Sequence, residues 1–517
     1  MKLKPENWPA AALFPPFFAF LYFLLRYHSG LYFFGGAIIL VGFVLVNIFW
    51  DKVEAGHYGM IALGLAAVGL PALGAWQFIQ MQDLGDMDQT AYSCAFWNIR
   101  HGWLHYSIRG YNMFGIHSQY TSVLWIPWHY LTGELGLKIG KYLCLLIATA
   151  LLLRIHWGSR KVSSWIVLAV LISPPIASQF FFGFHPEFLA APVLVLLFTA
   201  YRDYRLGPFL LYVGFLAYTK EVFTLVVGGV LILAFVERRS WKWTILPGCL
   251  CCIQMAVYWY VIVPHFAPSG NHLSYFMPAT GNQILAMWWR PQNIFYVLHV
   301  TLPFLPLMLT LPKRYLVLPV PLMAFYAAFP DPLFVVLWPN YAFPLAFLCT
   351  AGLVLAGKLQ IGNTGKSEIP GQVSPVSQCL DGRILLACAV TSLLCYPLWR
   401  EAFSIPTGNM ARNLEVNRIR SIIPSDASVL VHGPFSTRFA GRKEISFWVY
   451  RDKPLNSFDF IVIDTVLPYW VNQPEKLAQD IKSLSNDSAW SRESGQHGLF
   501  LFRRNPVPLI EAKARNQ

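Results

Sequence analysis

Charge is what this chain has least of. Only 13% of its 517 residues are charged, where a water-soluble domain carries about 25%. Hydrophobic residues make up 56% and the mean hydropathy is +0.47. That shortage excludes an ordinary soluble protein and puts the chain in a membrane. Alternating polarity is also lacking. Runs such as "LYFFGGAIILVGFVLVNIFW" are continuously apolar, long enough to cross a hydrocarbon core about 30 Å thick as helices and unlike barrel strands.

The nine cysteines lack metal-ligand spacing. Several of them, Cys144, Cys249, Cys251, Cys252, Cys349, Cys388 and Cys395, lie in apolar runs and read as small space-filling side chains. Residues 8–25 contain "PPFF" with no small-residue cleavage pattern after them, so the first segment is expected to be retained. No internal repeat is evident. The net charge of +13 does not point to nucleic acid, because the Lys and Arg residues fall in short clusters between apolar runs.

Those clusters report orientation. Taking "MKLK", "DK" at 51–52, "RIHWGSRK" at 154–161, "RDYR" at 202–205, "ERRSWK" at 237–242, "PKR" at 312–314 and "GKLQIGNTGKSE" at 357–368 as cytoplasmic satisfies the positive-inside rule. Single crossings are then expected near 8–25, 30–50, 58–79, 134–155, 163–183, 186–201, 207–219, 222–236, 243–263, 294–311, 315–330, 334–356 and 384–399. The expected fold is an all-α polytopic membrane bundle of about 13 transmembrane helices, with the N-terminus cytoplasmic. Segments 207–219 and 222–236 are short enough to be broken helices, and 121–133 reads as interfacial or re-entrant.

The expected membrane domain is 1–399, with a first long outer loop at 80–121 and a cytoplasmic linker at 357–383. Residues 400–517 change character. "ASVLVHG" and "FDFIVID" read as buried strands and "QPEKLAQDIKSLSND" as an amphipathic helix, giving a small α/β extracytoplasmic C-terminal domain.

What charge there is gathers at predicted outer positions. "QDLGDMDQTAYSCAFWNIRHG" holds Asp83, Asp86 and Asp88 just past the third span. They either solvate the membrane exit or do chemistry, and a loop this long in a compact membrane protein is usually functional. "FFGFHPEF" supplies His185 and Glu187, as a site or as a helix start with Pro at N1. "YTKEV" places Lys220 beside Glu221, as a self-neutralising pair or a functional one. "WWRPQN" adds Arg290, a snorkelling cation or a phosphate clamp, and "GIHSQY" adds His117, a loop hydrogen-bonder or a site residue. Asn340 and Tyr341 in "LWPNYAFPL" read as capping or packing residues.

Together these parts suit group transfer from a lipid phosphate carrier. An outward carboxylate can be the general base for an acceptor hydroxyl or help bind a divalent cation, Mg or Mn. Lys220 as a point charge, or Arg290 as a fork, can hold the donor's phosphate. Trp97, Trp103, Tyr106 and Tyr111 can stack on a sugar ring.

"DLGDMDQTAYSCAFWNIRHG", then "NMFGIHSQY", "FHPEF" and "TKE", resembles a family of membrane proteins of unknown function with the loop pattern D-L-G-x-x-D-Q. That family in turn resembles the polytopic C-type glycosyltransferases, such as the dolichyl-phosphate-mannose and arabinose-lipid transferases. The resemblance implies a polyprenyl-phosphate-linked sugar donor and an acid of the first outer loop as base. Asp83 and Asp88 match its two acidic positions; Gln89, Trp97, Asn98, His101 and Gly102 match the rest of the loop. His117, His185, Pro186, Lys220 and Glu221 match the later pieces. Asp86 falls where the family has an apolar residue, and two extra spans precede the loop, so the span numbering differs from the superfamily's.

The expectation is a plasma- or inner-membrane glycosyltransferase with Asp83 as base and Asp88 as second acid. Gln89, Trp97, Asn98, His101, His117, His185, Glu187, Lys220, Glu221 and Arg290 are its candidate substrate-binding residues. The partners expected are the lipid-linked donor, an extracytoplasmic glycan, lipid or protein acceptor, and membrane lipid, with no nucleic acid. The alternatives are a transporter or flippase, which would show two related halves with broken helices, and a non-catalytic membrane protein whose outer domain binds a partner.

Overall fold

The computed structural model describes residues 58–79, 86–102, 112–155, 170–266, 312–327, 410–432, 435–442, 444–448, 453–466, 474–494 and 496–505. It also describes isolated positions at 164, 167–168, 290, 300–301, 304, 308 and within 344–355. Asp83, Trp103, Tyr106, Tyr111, Asn340, Tyr341, the linker at 357–383 and the spans expected at 8–25, 30–50 and 384–399 lie outside them.

Apart from the single turns Met113–Ile116 and Val263–Phe266, the described α-helices are α1 (Tyr58–Ile79), α2 (Asp86–Arg100), α3 (Trp125–Ile155), α4 (Pro174–Phe181), α5 (Ala190–Arg202), α6 (Leu206–Ala217), α7 (Val222–Val236), α8 (Ile245–Val257), α9 (Val320–Ala327), α10 (Met410–Ile422) and α11 (Pro474–Asn486). Among the described residues three helical stretches are long and apolar enough to cross a membrane: Met60–Ile79, Tyr120–Ile155 and Trp241–Phe266. The stretch 121–133, read as interfacial or re-entrant, begins with a 3-10 turn at Tyr120–Leu124 and ends at a kink at Gly133 (φ 65°) that sets it off from the rest of α3. The segment 163–183 is not one uninterrupted helix. It breaks at Ile172–Ser173 before Pro174 and Pro175, whose rings cannot continue a helix from the preceding turn. At 12 and 15 residues, α6 and α7 span about 18 and 22 Å, short of the hydrocarbon thickness.

One apolar core joins α1, α3, α4, α5, α6 and α7, with Leu145, Phe180, Leu194, Phe198, Phe223 and Val226 buried in it. Two glycines let backbones meet. A Cβ on Gly74 would lie 2.1 Å from the Phe180 carbonyl oxygen, and one on Gly229 2.1 Å from that of Leu318. The basic loops at 202–205, 237–242 and 312–314, read as lying on one side, do converge. Glu237 takes Arg314 Nε at 3.2 Å and Arg239 Nε at 3.1 Å, and Arg239 donates to the Tyr201 carbonyl.

The C-terminal part is an α/β domain. Its strands β1 (Ser428–His432), β2 (Glu444–Phe447), β3 (Phe460–Asp464), β4 (Trp490–Ser494) and β5 (Leu499–Arg504) form one sheet in the order β2-β1-β3-β5-β4. The β2-β1-β3 pairs are parallel and the β3-β5-β4 pairs antiparallel. The two strands and the helix read from sequence are β1, β3 and α11; β2, β4 and β5 were not anticipated. Alternate residues feed two cores. Val429, Val431, Val462 and Leu501 pack with α10, whereas Leu430, Ile461, Ile463 and Phe502 pack with Leu477 and Leu484 of α11.

The sheet domain meets the bundle along α2. Ala95 and Phe96 of this helix lie in the bundle core, while Ala91 and Cys94 lie against the sheet core.

Candidate functional site

Four short stretches bring ionisable side chains to one end of the bundle. Pro186 opens a 3-10 turn, Pro186–Leu189, where its fixed φ and missing N–H cost nothing. His185 before it is extended, at φ −134° and ψ 134°, which sets the imidazole ahead of the turn and Glu187 inside it. His117 is likewise extended after the single turn Met113–Ile116, which Asn112 caps by accepting from the Phe114 N–H at 2.9 Å. Lys220 and Glu221 form the turn between α6 and α7. Asp88 sits in the first turn of α2.

The geometry reassigns partners. Lys220 Nζ donates to Glu187 Oε1 at 2.9 Å, whereas Glu221 Oε1 lies 2.6 Å from His117 Nδ1. Lys220 and Glu221, read as a self-neutralising pair or a functional one, take separate partners, because neighbours in a tight turn project differently. Glu187 also meets His185 Nδ1 at 3.4 Å, and His185 Nε2 meets Asp88 Oδ2 at 3.4 Å. A chain Asp88–His185–Glu187–Lys220 results. Glu221 Oε2 accepts from the Ser118 N–H at 3.1 Å and its hydroxyl at 3.4 Å.

Gln119 joins the two halves. Buried at 1% exposure, it donates from Nε2 to Glu187 Oε2 at 3.2 Å and accepts at Oε1 from the Tyr92 hydroxyl at 2.8 Å. Tyr92, one turn along α2 from Asp88, sets its ring edge-on to His185 with centroids 5.8 Å apart. Sequence reasoning took His117 from "GIHSQY" and missed Gln119 and Tyr92. The presence of an amide two residues beyond a candidate histidine was the only available signal.

The loop carrying His185 is pinned from three sides. Gln89, fully buried, accepts from the Phe184 N–H at 3.0 Å and donates to the Glu134 carbonyl at 3.2 Å. Trp125 Nε1 donates to the Pro186 carbonyl at 3.1 Å, and Lys141 Nζ to the Phe182 carbonyl at 2.5 Å. Gln89 therefore holds backbone.

Burial works against charge here, and the partners outweigh it. Burial opposes ionisation of Glu221, but the His117 charge and hydrogen bond, with Lys220 nearby, hold its carboxyl down at about 2. Burial alone would lower the His185 pKa; Glu187 and Asp88 together raise it above the ordinary imidazole value. Glu187 and Glu221 have both oxygens engaged and act as orienting groups. Asp88 is the most open of the three carboxylates, its side chain 33% exposed against 3% for Glu187 and 13% for Glu221. Among the described residues no group of three or more His, Cys, Asp and Glu side chains is placed to hold a metal ion.

Other candidates lie elsewhere. Trp97 and Asn98 lie in the last turn of α2, about 14 and 15 Å along the axis from Asp88 at 1.5 Å per residue, and His101 follows the end of the helix. Asn98 is buried and donates to Cys94 Sγ at 3.6 Å. Trp97 stacks on exposed His101 with centroids 3.9 Å apart, and His101 Nδ1 donates to the Trp97 carbonyl at 2.8 Å. Arg290 is exposed, between stretches outside the described residues.

Similarity to known proteins follows the same lines. The fold is similar to that of ArnT from Cupriavidus metallidurans bound to undecaprenyl phosphate, at 11% identity and a TM-score of 0.53 over 88% of this chain and 100% of that one. The apo state of the same protein gives 12% identity and a TM-score of 0.52 over 84% and 98%. At such identities the likeness is one of fold. No curated protein matches the sequence. The family described as predicted membrane protein (DUF2079) matches residues 80–501, which takes in the acidic loop, every described member of the cluster and the sheet domain. The chain belongs to that family.

Proposed function

We propose that the protein is a membrane glycosyltransferase that moves a sugar from a polyprenyl-phosphate donor to an acceptor on the outer side of the membrane. The observation that carries this reading is the Asp88–His185–Glu187–Lys220 chain at one end of an apolar bundle, buried except at Asp88. The ArnT-like fold supports it, because that protein holds undecaprenyl phosphate.

In the proposed reaction Asp83 takes the proton of the acceptor hydroxyl as its oxygen attacks the anomeric carbon. The bond from that carbon to the phosphate oxygen breaks, and polyprenyl phosphate leaves with the electron pair. Asp88, steered by His185, positions the acceptor. Lys220 keeps Glu187 ionised, and Glu187 orients the imidazole, so its charge serves the acid side first and any contact with the donor phosphate second. Trp97 and His101 offer a stacking ledge farther out on α2, and Arg290 remains the proposed fork for the donor phosphate.

The test is biochemical. Purified protein in vesicles, supplied with a labelled polyprenyl-phosphate sugar and an extract of envelope acceptors, is expected to release polyprenyl phosphate and label an acceptor. Cells lacking the gene should accumulate the lipid-linked sugar. If the lipid-linked sugar is neither consumed in vesicles nor accumulated in such cells, the reading is wrong.

A further inference from the structure

The helix that carries Asp88 has a composition unlike its neighbours. α2 is polar on average, yet Gln89, Thr90, Ser93, Cys94, Ala95, Phe96 and Asn98 are all buried. It is buried because it lies between two bodies. On one side it faces α3 and the bundle core; on the other it faces a 3-10 turn at Ser436–Phe439 of the sheet domain.

The contacts on the sheet side are polar and specific. The Thr90 and Ser436 hydroxyls lie 2.9 Å apart, both residues fully buried. Cys94 Sγ donates to the Arg442 carbonyl at 3.6 Å, and a Cβ on Gly441 would come 3.7 Å from the Trp97 indole. Arg438 reaches past α2 to α1, donating to the Phe78 carbonyl at 3.3 Å with its guanidinium 4.8 Å from the Phe78 ring centre. Thr90 is two residues from Asp88 and one from Gln89. Any rotation of α2 about its axis would break the Thr90–Ser436 contact, the Gln89 hold on Phe184 and the Asp88–His185 approach together.

We propose that the sheet-domain segment 435–442 is a positioning element of the candidate site: through Ser436 on Thr90 and Arg442 on Cys94 it sets the rotation of α2, and with it the approach of Asp88 to His185. The C-terminal domain is then a working half of the site. This rests on the glycosyltransferase reading for its rate measurement but not for its structural one.

The experiment uses the full chain in vesicles. Thr90→Val with Ser436→Ala removes the hydroxyl contact at nearly constant volume. It should lower kcat about tenfold, the scale of a small misplacement of a reacting group, with KM for the lipid donor within twofold of wild type. Ser436→Thr alone, which keeps the hydroxyl, should retain most of the wild-type rate. A Thr90→Cys, Ser436→Cys pair, at positions whose hydroxyls lie 2.9 Å apart, should turn over at least as fast oxidised as reduced once mass spectrometry shows the bridge formed. Amide exchange in 86–94 should quicken in the Val/Ala variant while 222–236 stays as in wild type. Unchanged kcat in the Val/Ala variant, a loss as large in Ser436→Thr as in the Val/Ala variant, or loss of turnover on oxidation would each overturn the proposal. Absence of transfer by wild type would sink the functional reading instead, leaving the exchange result to judge the positioning.

Discussion

The two ends of the bundle use the same device, a carboxylate surrounded by cations, with different cations. At the basic end Glu237 is held by Arg239 and Arg314 and accepts from the Tyr201 hydroxyl at 2.9 Å. Arg239 is stacked over Tyr201, 3.5 Å from its ring centre, and over Tyr204 at 4.1 Å. Its charge is permanent and its plane is fixed. At the acidic end Glu221 is held by an imidazole, and Glu187 by an imidazole and one ammonium. Imidazoles titrate near neutral pH where guanidinium does not. One end holds three loops together through guanidinium groups; the other ties its carboxylates to two imidazoles and one ammonium.

Substitutions should separate the ends. Lys220→Met leaves buried Glu187 with His185 and the neutral Gln119 amide, and loss of a buried partner costs about 3–5 kcal/mol. Thermal unfolding in detergent should show a fall well beyond that of any basic-end variant. If lipid-phosphate affinity is unchanged in this variant while stability drops, Lys220 acts through Glu187 only. Arg239→Met should cost less, about 1–2 kcal/mol, since Glu237 keeps Arg314 and Tyr201; a loss as large as that of Lys220→Met would erase the distinction between the ends. Arg314→Gln, at a side chain 52% exposed, should change stability by no more than about 1 kcal/mol.

The pH response gives a finer test. His185 has a raised pKa in the folded protein, so its contribution is fully present below about 6.5 and is lost as pH rises through the raised value. Glu221, held near 2, contributes above the ordinary carboxylate value, and that contribution disappears as pH falls toward about 2. The melting temperature should therefore decline between neutral and alkaline pH in wild type and decline less in His185→Gln. An identical decline in both would remove His185 from the account.

Much of the site was legible because its chemistry is rare in its setting. In a chain so poor in charge, an acid, histidine or lysine at an outer turn is conspicuous, and Asp88, His117, His185, Glu187, Lys220 and Glu221 do come together. Their pairing was not legible. Lys220 and Glu221 are adjacent in sequence, and only the turn between α6 and α7 shows that they separate. Gln119 and Tyr92 were missed because a neutral hydrogen-bonder resembles any other loop residue until its partners are placed. Trp97, Asn98 and His101 belong to the same stretch of sequence, but the helix carries them along its axis away from Asp88.

The fold followed the same rule. β1, β3 and α11 carry strong apolar or amphipathic patterns. β4 and β5, with "WSRES" and "LFLFRR", are short and partly charged, and are settled by pairing with β3. Helix α2 was hidden for a related reason: it is buried on two sides by different partners, so no single apolar stripe marks it.

The account turns on the acids of the first loop. The most direct measurement is sugar transfer from a polyprenyl-phosphate donor by wild type, Asp83→Asn and Asp88→Asn, each purified and shown to be inserted and folded. A missing general base costs about 10²–10⁴ in rate, so Asp83→Asn is expected to fall by that much, and Asp88→Asn by less with a raised acceptor KM. Transfer by Asp83→Asn at the wild-type rate would contradict the account.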